Sequence, residues 1–506
     1  MSQFLKRFCQ GARKALQQAS LSTEQTGPAA APSKQPIIFV MGNTSCDLDS
    51  VCCALALAYL FELDKTSKTA NISYIPLLNY RRQDFPKLLQ QAYWLEKYFQ
   101  ISVDDLCFYE DAVATMSASI PAKDDEKATA PGAAAGPPSP ACSFLLVDHN
   151  EVDPTQRETL RGKVVGCVDH HEVNAGNKVD QFLRGTSSSP DDPAFASFPQ
   201  ILDIRIPSVC GPEAIVGSCS SLILERTVKV YESRIATPAT VDRVIAGTTG
   251  LQQTELFSEL FSLLSGAILC DTRNFADATK GAKWSVKGDK ETYETAKQLF
   301  GAGTSATTST SLLPSDEAAL CQDLFDIKFD VERNLNLGVS ALLGGDYKQF
   351  SYRSDTLSVG YATFPIQLVS VLQKFDLEKT LLPEMKDFCE SRKVSLLVIL
   401  SSDRNMLKHF GVGVFCNEET AGSEARNLAL SAFNAIVTSS ATDASGSLKE
   451  EMGLVPIEPT GASATSIFRV YEQRRAEKSR KQVEPLIRQL LNSISSSPGM
   501  TTIDGN

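Results

Sequence analysis

Short apolar runs that end in polar residues recur along the N-terminal half of the chain. Each run is long enough for one buried strand, and the runs occupy 36–42, 72–78, 142–150 and 163–174. An apolar helix is predicted from about Asp49 to Leu63, directly after the first strand. The loop between this strand and helix lies at the carboxyl end of the strand, which is where ligands bind in open α/β sheets.

A second block of apolar runs begins near Gly344 and predicts further strands at 357–365 and 395–402. A charged helical segment at 316–337 leads into this block. The segment 468–494 predicts the end of a basic helix followed by an apolar helix. The run 262–275 predicts a helix that continues into polar residues, with a strand as the alternative.

We therefore expect two α/β domains joined by a charged connector around 326–340. The low-complexity stretch DDEKATAPGAAAGPPSPA (124–141) predicts a disordered insertion, because it has too few apolar residues to form a core. The expected divisions are an N-terminal helix and linker (1–35), a first domain (36–330) with an insertion near 113–141, a second domain (338–494) and a tail (495–506).

Composition narrows the class of protein. The chain has 506 residues, of which 42% are hydrophobic and 22% charged, as in ordinary globular proteins. Its apolar runs are too short for a membrane span, so we expect no membrane partner. The formal net charge of −11 argues against general nucleic-acid binding. It leaves a polyanionic substrate open, because bound cations or a local basic cleft reverse the sign of the field where the substrate binds.

The thirteen cysteines form no C-x-x-C pair, and several lie in apolar runs. This pattern predicts reduced, buried cysteines and a cytoplasmic protein. No signal peptide is visible, but the first twenty residues are basic, amphipathic and free of acids. They resemble a mitochondrial presequence, so a mitochondrial fraction is the alternative. The competing interpretation is a helix that docks on the domain or stays mobile.

Acidic and imidazole side chains follow several of the predicted strands. The chain has only four histidines, and three of them lie at two strand ends. Carboxylates and imidazoles without thiolates are the ligands of Mg²⁺, Mn²⁺ or Co²⁺ sites, and bound cations would offset the repulsion between the acids. Two cations about 4 Å apart could polarise a bridging water and hold a phosphoryl group. The candidate set is Asp47, Asp49, Asp148, His149, Asp169, His170, His171 and Asp271.

Other interpretations of these residues stay open. Asp47 or Asp49 could cap the following helix, although only one of them can be the cap. His149 could be structural as readily as a contact to substrate. His409 is remote from the other motifs, which favours a packing or surface position.

Four segments resemble the motifs of the DHH phosphoesterases, in the order that this family has them: GNTSCDLDS, LVDHN, DHH and LCDTRNF. Downstream, GGDYK (344–348) and SRKQVEP (479–485) resemble phosphate-binding segments of family II inorganic pyrophosphatases and eukaryotic exopolyphosphatases. GSCSSL (217–222) is similar to the same branch. The resemblance implies an N-terminal domain with a mainly parallel sheet, a smaller C-terminal α/β domain, and an active site in the cleft between them.

The resemblance also implies a role for each matching residue. Asp47 would bind the first metal, Asp49 the second, and Asp148 would bridge both, with His170 and Asp271 completing the second site. His171 would face the substrate phosphate and act in catalysis together with Asp148 and Arg480, while Asp169 would orient a histidine. The substrate-binding residues would be His149, Lys348, Arg480 and Lys481.

One position departs from the pyrophosphatase pattern. Family II pyrophosphatases carry a histidine where this chain has Asn43, and the exopolyphosphatase branch resembles this chain in having asparagine there. Loss of an imidazole favours the hard cation Mg²⁺ over Mn²⁺ or Co²⁺, which we keep as substitutes. The segment NYRRQDFPK (79–87) resembles one that the eukaryotic relatives share but lacks the arginine expected after Pro86.

We therefore expect a monomeric exopolyphosphatase that uses two or more Mg²⁺ ions to release orthophosphate from inorganic polyphosphate. Two alternatives remain open. One is a pyrophosphatase or nucleotide phosphohydrolase of the same superfamily, and the other is a prune-like scaffold protein with residual phosphodiesterase activity.

Overall fold

A computed structural model of the chain describes residues 3–21, 35–65, 69, 71–117, 142–171, 201–205, 216–236, 250–276, 284–301, 316–353, 356–416, 418–438, 448–457 and 468–494. It comprises two compact units, Met1–Lys328 and Phe329–Asn506. Most of the predicted linker, most of the predicted insertion and the predicted tail lie outside the described residues.

The first unit contains five strands and nine α-helices among its described residues. They are α1 (Phe4–Leu21), β1 (Ile37–Met41), α2 (Leu48–Leu63), β2 (Ser73–Leu77), α3 (Leu89–Phe99), α4 (Tyr109–Ser117), β3 (Cys142–Val147), α5 (Arg157–Leu160), β4 (Val164–Asp169), β5 (Ile201–Ile204), α6 (Cys219–Ala236), α7 (Gly250–Asp271), α8 (Thr292–Ala296) and α9 (Glu317–Lys328). Two π-helical turns, Val286–Glu291 and Lys297–Gly301, flank α8.

The sheet of the first unit is parallel throughout, with strand order β2-β1-β3-β4-β5. The predicted mainly parallel sheet is therefore confirmed. Because β1, β3 and β4 are neighbours, their carboxyl ends lie side by side: Met41 pairs with Leu146, and Val147 pairs with Val168. The loops that follow these three strands carry most of the candidate site residues, and the topology brings them to one edge of the sheet.

The helix α2 begins within one residue of the predicted position and is apolar on all sides. Such a helix must be buried, and α2 packs against β1 and β2 as well as α6 and α7. The run 262–275, for which a helix or a strand was predicted, is helical up to Asp271 as part of α7.

The amphipathic N-terminal segment forms α1 and docks on the core of the first unit. Its residues Leu5, Cys9 and Leu16 are buried. The buried carboxylate of Glu259 accepts hydrogen bonds from the backbone N–H groups of Phe4 at 3.3 Å and Leu5 at 2.8 Å, and so satisfies donors at the start of the helix. The structure therefore agrees with the interpretation in which the N-terminal helix docks on the domain.

The second unit contains six strands and seven α-helices among its described residues. They are α10 (Val331–Asn336), α11 (Val339–Gly345), β6 (Tyr347–Tyr352), β7 (Leu357–Phe364), α12 (Leu368–Lys374), α13 (Leu382–Arg392), β8 (Leu396–Ser402), β9 (Lys408–Val414), α14 (Glu418–Thr438), α15 (Leu448–Met452), β10 (Leu454–Ile457), β11 (Phe468–Gln473) and α16 (Arg480–Ser493). The sheet is mixed, with order β10-β11-β9-β8-β7-β6. Only the β7–β8 pair among these described strands is parallel.

The predicted helix at the start of 468–494 is wrong. Residues Phe468–Gln473 form β11, which pairs antiparallel with β9 and β10. Phe468 and Val470 are buried while Arg469 between them is partly exposed, which is the alternation of a half-buried strand. The basic residues that suggested a helix follow the strand, and the predicted apolar helix is α16.

No helix in the described ranges is both long enough and apolar enough to cross a bilayer. The cysteines of the described residues are free thiols, and all except Cys142 are buried, as the sequence predicted.

We predict that Gly266→Ala destabilises the first unit. A Cβ at this position in α7 would lie 2.5 Å from the buried Trp94 ring, so the overpacking cost of about 1–3 kcal/mol exceeds the gain in helix propensity of about 1 kcal/mol. Gly11→Ala in α1 is the control, because a Cβ there meets no atom within 4 Å and should stabilise the protein slightly. Urea unfolding of both variants tests this, and equal shifts in the same direction would contradict it.

Candidate metal centre

The loop after β1 packs tightly against the first turn of α2. A Cβ on Gly42 would lie 3.0 Å from both Cβ and the carbonyl oxygen of Ser50, so glycine permits the close approach. The side-chain oxygen of Asn43 accepts hydrogen bonds from the backbone N–H groups of Ser45 at 2.9 Å and Cys46 at 3.1 Å. This Asx-type turn fixes the Asn43 side chain.

The carboxylate of Asp148, directly after β3, is at the centre of the site. Asp148 is 1% exposed and has a left-handed backbone conformation, with φ 60°. Its Oδ2 accepts hydrogen bonds from Asn43 Nδ2 at 2.8 Å and from Ser50 Oγ at 2.8 Å. Its Oδ1 lies 3.4 Å from His170 Nε2 and 3.7 Å from His171 Nδ1. Asn43 and Ser50 thus orient the carboxylate so that its other oxygen faces the two imidazoles.

The two histidines after β4 are each held by a hydrogen bond to a different acceptor. His170 Nδ1 lies 3.0 Å from the carbonyl oxygen of Val216. A carbonyl only accepts hydrogen bonds, so Nδ1 carries the hydrogen, and in the neutral ring the Nε2 atom that faces Asp148 keeps its lone pair. The rings of His170 and His171 are nearly perpendicular, at 89°.

His171 is oriented by a buried acid, as the sequence predicted for Asp169. Its Nδ1 donates to Asp169 Oδ1 at 2.7 Å. The other carboxylate oxygen of Asp169 accepts from Asn150 Nδ2 at 2.7 Å, and the same amide group donates to the carbonyl oxygen of His171 at 2.9 Å. Asn150 therefore ties the loop after β3 to the loop after β4.

Asp148, His170 and His171 form a group that could hold a metal ion. Each offers one ligand atom, and these atoms lie within 4.8 Å of one another. One carboxylate oxygen and two imidazole nitrogens are suitable donors for a divalent transition metal or for Mg²⁺ with additional oxygen ligands. The residues present therefore fit a bound divalent cation.

Asp47 and Asp49 lie outside this group and make other contacts. Asp47 is the N-cap of α2, and its Oδ1 accepts from the backbone N–H of Ser50 at 3.0 Å. Asp49 receives hydrogen bonds from the N-terminal end of α6: its Oδ1 accepts from Ser220 N at 2.8 Å, and its Oδ2 accepts from Cys219 N at 2.6 Å. The hydroxyls of Ser218 and Ser220 also donate to Oδ1. Metal ligation by Asp47 and Asp49 stays a prediction.

Asp271, the last residue of α7, is close enough to the other acids for their charges to act on it. Desolvation by the surrounding protein, followed by the negative charges of Asp49 and Asp47 and by that of Asp148, raises the pKa of Asp271 well above its ordinary value. Asp271 is nevertheless exposed to solvent by its surface area, so the neighbouring acids are the firmer cause of this rise in pKa. Like-charge repulsion of this kind is relieved by a bound cation. Ligation by Asp271 itself stays a prediction.

His149 and the basic residues of the segment NYRRQDFPK (79–87) have structural contacts. His149 is buried, and its Nδ1 lies 2.9 Å from the carbonyl oxygen of Val147, which supports the structural interpretation. Arg82 donates to Asp111 at 2.6 Å and to the carbonyl oxygens of Val103 and Leu106. Arg81 and Lys87 each lie 2.7 Å from an oxygen of Asp84.

The other predicted phosphate-binding residues, Lys348, Arg480 and Lys481, belong to the second unit. Lys348 lies half-buried in β6, opposite Tyr361 of β7. Arg480 is the first residue of α16 and donates to Asp346 Oδ1 at 2.6 Å. The side chain of Lys481 lies outside the part of the chain that the structure describes. His409 is buried in β9, where desolvation lowers its pKa, and this agrees with a packing position.

Asn150 and Asp289 are supporting residues that were not predicted, and the roles of Ser218 and Ser220 were left open. Asn150 is the last residue of the LVDHN segment, and its position at a strand end was the available signal. Asp289 lies outside the quoted motifs and had no local signal, yet it is fully buried and contacts Gly217 beside the site. Ser218 and Ser220, for which no role was assigned, hold Asp49.

The family description "DHH family, N-terminal domain" matches residues 37–197, and "DHHA2 domain" matches residues 322–490. The chain is 26% identical over 379 residues to "Exopolyphosphatase PRUNE1" of Rattus norvegicus, a match that covers 74% of this chain but only 61% of the rat protein. It is 25% identical over 501 residues to "Putative exopolyphosphatase" of Schizosaccharomyces pombe, covering 97% of this chain and 99% of the yeast protein. A solved Methanococcus jannaschii structure, titled a "putative family II inorganic pyrophosphatase", aligns with a TM-score of 0.46 and 16% identity over 90% of this chain and 99% of its own.

We predict that Asn43→Ala weakens Mn²⁺ binding about tenfold, because Asp148 loses a hydrogen bond that orients its carboxylate. The variant should also lose about 1–3 kcal/mol of unfolding free energy. Isothermal titration calorimetry with Mn²⁺ and urea unfolding measure the two effects.

The matched control is Asn79→Ala, because Asn79 is equally a buried asparagine but pairs with the Gln156 amide. This control should lose similar stability and keep its Mn²⁺ affinity. Equal losses of affinity in the two variants would contradict a specific role for Asn43.

Proposed function

We propose that this chain, which belongs to the DHH superfamily by its DHH and DHHA2 domains, is a metal-dependent exopolyphosphatase that releases orthophosphate from the end of inorganic polyphosphate. One observation carries the proposal. The buried carboxylate of Asp148 is held at one oxygen by Asn43 and Ser50, and its other oxygen faces His170 and His171. Such an arrangement is suited to holding a cation beside a phosphoanhydride bond.

The metal-holding residues in this proposal are Asp148 and His170, with Asp47, Asp49 and Asp271 as further ligands. A divalent cation at these residues would supply Lewis acidity that activates water and offsets charge on phosphate oxygens. His170 suits this role because its Nδ1–H is used by Val216, which leaves Nε2 directed toward Asp148.

His171 is proposed to face the substrate phosphate. The buried carboxylate of Asp169 accepts its Nδ1–H and stabilises positive charge on the ring. A ring so held can donate from Nε2 to a phosphoryl oxygen as negative charge develops there. Asp169 also fixes the direction of that donation.

The choice of polyphosphate over pyrophosphate rests on Asn43 and on the names of the relatives. The Asn43 side chain is used to orient Asp148 and to form its own turn, so it supplies no imidazole to a metal. An oxygen-rich ligand set favours Mg²⁺. Relatives that align over most of this chain are named exopolyphosphatases.

Basic residues of the second unit are proposed to bind the phosphate chain. Arg480 presents a planar guanidinium that suits two phosphate oxygens, and Lys348 supplies a point charge. Lys481 is the third candidate in this set. They would provide local positive charge in a protein whose formal net charge is −11.

We predict that the purified chain releases orthophosphate from long polyphosphate in Mg²⁺ and that Asp148→Asn lowers kcat by a factor on the order of 100 or more, since the variant removes charge from the centre of the site. Orthophosphate release with Mg²⁺, with Mn²⁺ and with excess chelator is the measurement. Asp153→Asn is the control, because Asp153 caps a nearby turn through Thr155 N at 2.9 Å and lies outside the metal group.

Three outcomes would contradict the proposal. Full activity in excess chelator would show that the reaction needs no metal ion. Faster release of orthophosphate from pyrophosphate than from polyphosphate would favour a pyrophosphatase. Absence of turnover on every phosphoanhydride tested would favour a scaffold protein.

A further inference from the structure

Among the residues that the structure describes, Asp289 is the most buried acid that the proposed mechanism leaves unused. It is 0% exposed and lies in the π-helical turn Val286–Glu291, before α8. Burying a carboxylate is costly unless hydrogen bonds satisfy it. Oδ2 accepts from Gly217 N at 2.9 Å and Ser285 N at 2.8 Å, and Oδ1 accepts from Ser221 Oγ at 2.6 Å.

One of these donors belongs to a peptide group that also contacts the metal centre. The N–H of Gly217 and the carbonyl of Val216 are the two ends of the same peptide unit. Asp289 accepts from the N–H end, and His170 Nδ1 donates to the carbonyl end at 3.0 Å. A hydrogen bond to a carboxylate polarises the peptide and makes its carbonyl a stronger acceptor.

We propose that Asp289 is a positioning residue for His170. By holding the Val216–Gly217 peptide, it fixes the ring orientation and the Nδ1–H tautomer that direct Nε2 toward Asp148. The inference rests on the proposed function only in taking His170 as a metal ligand.

Two further observations agree with this role. Single π-helical turns are rare and are frequently found at functional sites, and Asp289 lies within one. Burial raises the pKa of Asp289, whereas the hydrogen bonds from Ser221, Ser285 and Gly217 and the nearby His170 favour its ionised form. Asp289 and His170 are thus close enough for their charges to interact.

The competing explanation is that Asp289 only stabilises the start of its own turn. Asp289 accepts from the backbone N–H of Ser285, and the Ser285 hydroxyl accepts from Gly288 N at 2.9 Å. Ser285→Ala removes this second contact and leaves the backbone donors to Asp289 in place. It is therefore a matched control for loss of helix capping without loss of the Gly217 contact.

The first test is Mn²⁺ binding to the full chain, measured by isothermal titration calorimetry. Asp289→Asn keeps the size of the side chain but replaces one accepting oxygen by a donating NH2 group, and we expect about tenfold weaker binding together with a lower Tm. Ser285→Ala should lower Tm and keep the wild-type affinity. Wild-type affinity in Asp289→Asn, or an equal loss in Ser285→Ala, would overturn the inference.

The second test reads the His170 ring directly and needs no metal. The chain has four histidines, so ¹⁵N-histidine labelling gives a spectrum simple enough to assign by His→Gln variants. At a pH where imidazoles are neutral, His170 should be in the Nδ1–H tautomer in the unaltered chain and a mixture of tautomers in Asp289→Ala. An unchanged tautomer in a folded Asp289→Ala variant would overturn the positioning role.

The two tests separate this inference from the proposed function. If the unaltered chain binds no Mn²⁺, the metal centre and the positioning role both fail. If it binds Mn²⁺ and Asp289→Asn binds equally well, only the positioning role fails. If Asp289→Asn binds Mn²⁺ more weakly and the unaltered chain has no phosphohydrolase activity, the positioning role of Asp289 is supported and the proposed exopolyphosphatase activity is contradicted.

Discussion

The site depends on one buried carboxylate that is held from two sides. Asp148 is 1% exposed, and a carboxylate in that position is stable only when its oxygens are matched by donors or cations. The strand order β1-β3-β4 sets what surrounds this carboxylate, since Asp148 follows the middle strand. The loop after β1 supplies a hydrogen-bond donor, Asn43, to one oxygen, and the loop after β4 places His170 and His171 beside the other, where a bound cation would offset the charge. The parallel sheet therefore matters to the site chiefly because it sets which three loops are neighbours.

The segment 216–221 connects two acids and one imidazole that lie far apart in the chain. Its first peptide lies between Asp289 and His170, and the residues that follow donate hydrogen bonds to Asp49. A shift of this segment would therefore change the surroundings of His170 and Asp49 together. Substitutions at the two ends of such a network are expected to be non-additive, because they share the same backbone.

Local patterns in the sequence were sufficient for the elements that position the site. The apolar runs predicted β1, β3 and β4, and the apolar helix α2 was predicted to within a residue at its start. The grouping of His170 and His171 with Asp148 followed from their position at strand ends. The basic residues beyond Gln473 predict a helix, whereas the alternation of buried and exposed residues before them predicts the strand β11 that forms. Helix and strand propensities are weak where pairing with neighbouring strands decides the outcome.

The supporting hydrogen bonds could not be predicted in the same way, because they join residues far apart in sequence. Asn43 and Asp148 are separated by 105 positions, and Gly217 and Asp289 by 72. A short polar side chain such as that of Asn43 is equally suited to a turn, a metal ligand or a hydrogen bond to an acid, and only the packed chain selects among these roles.

The hydrogen bonds of Asp49 are compatible with the metal ligation proposed for it. Oδ1 receives hydrogen bonds from Ser218 and Ser220, whereas Oδ2 accepts from Cys219 N. A carboxylate oxygen has two lone pairs, so one hydrogen bond at Oδ2 leaves that atom able to bind a cation as well. The hydrogen bonds to α6 would then orient a ligand rather than compete with the metal, in the way that Asn43 and Ser50 orient Asp148. In both acids, hydrogen bonds from neighbouring residues fix the direction of the carboxylate, which is what the proposed ligation requires.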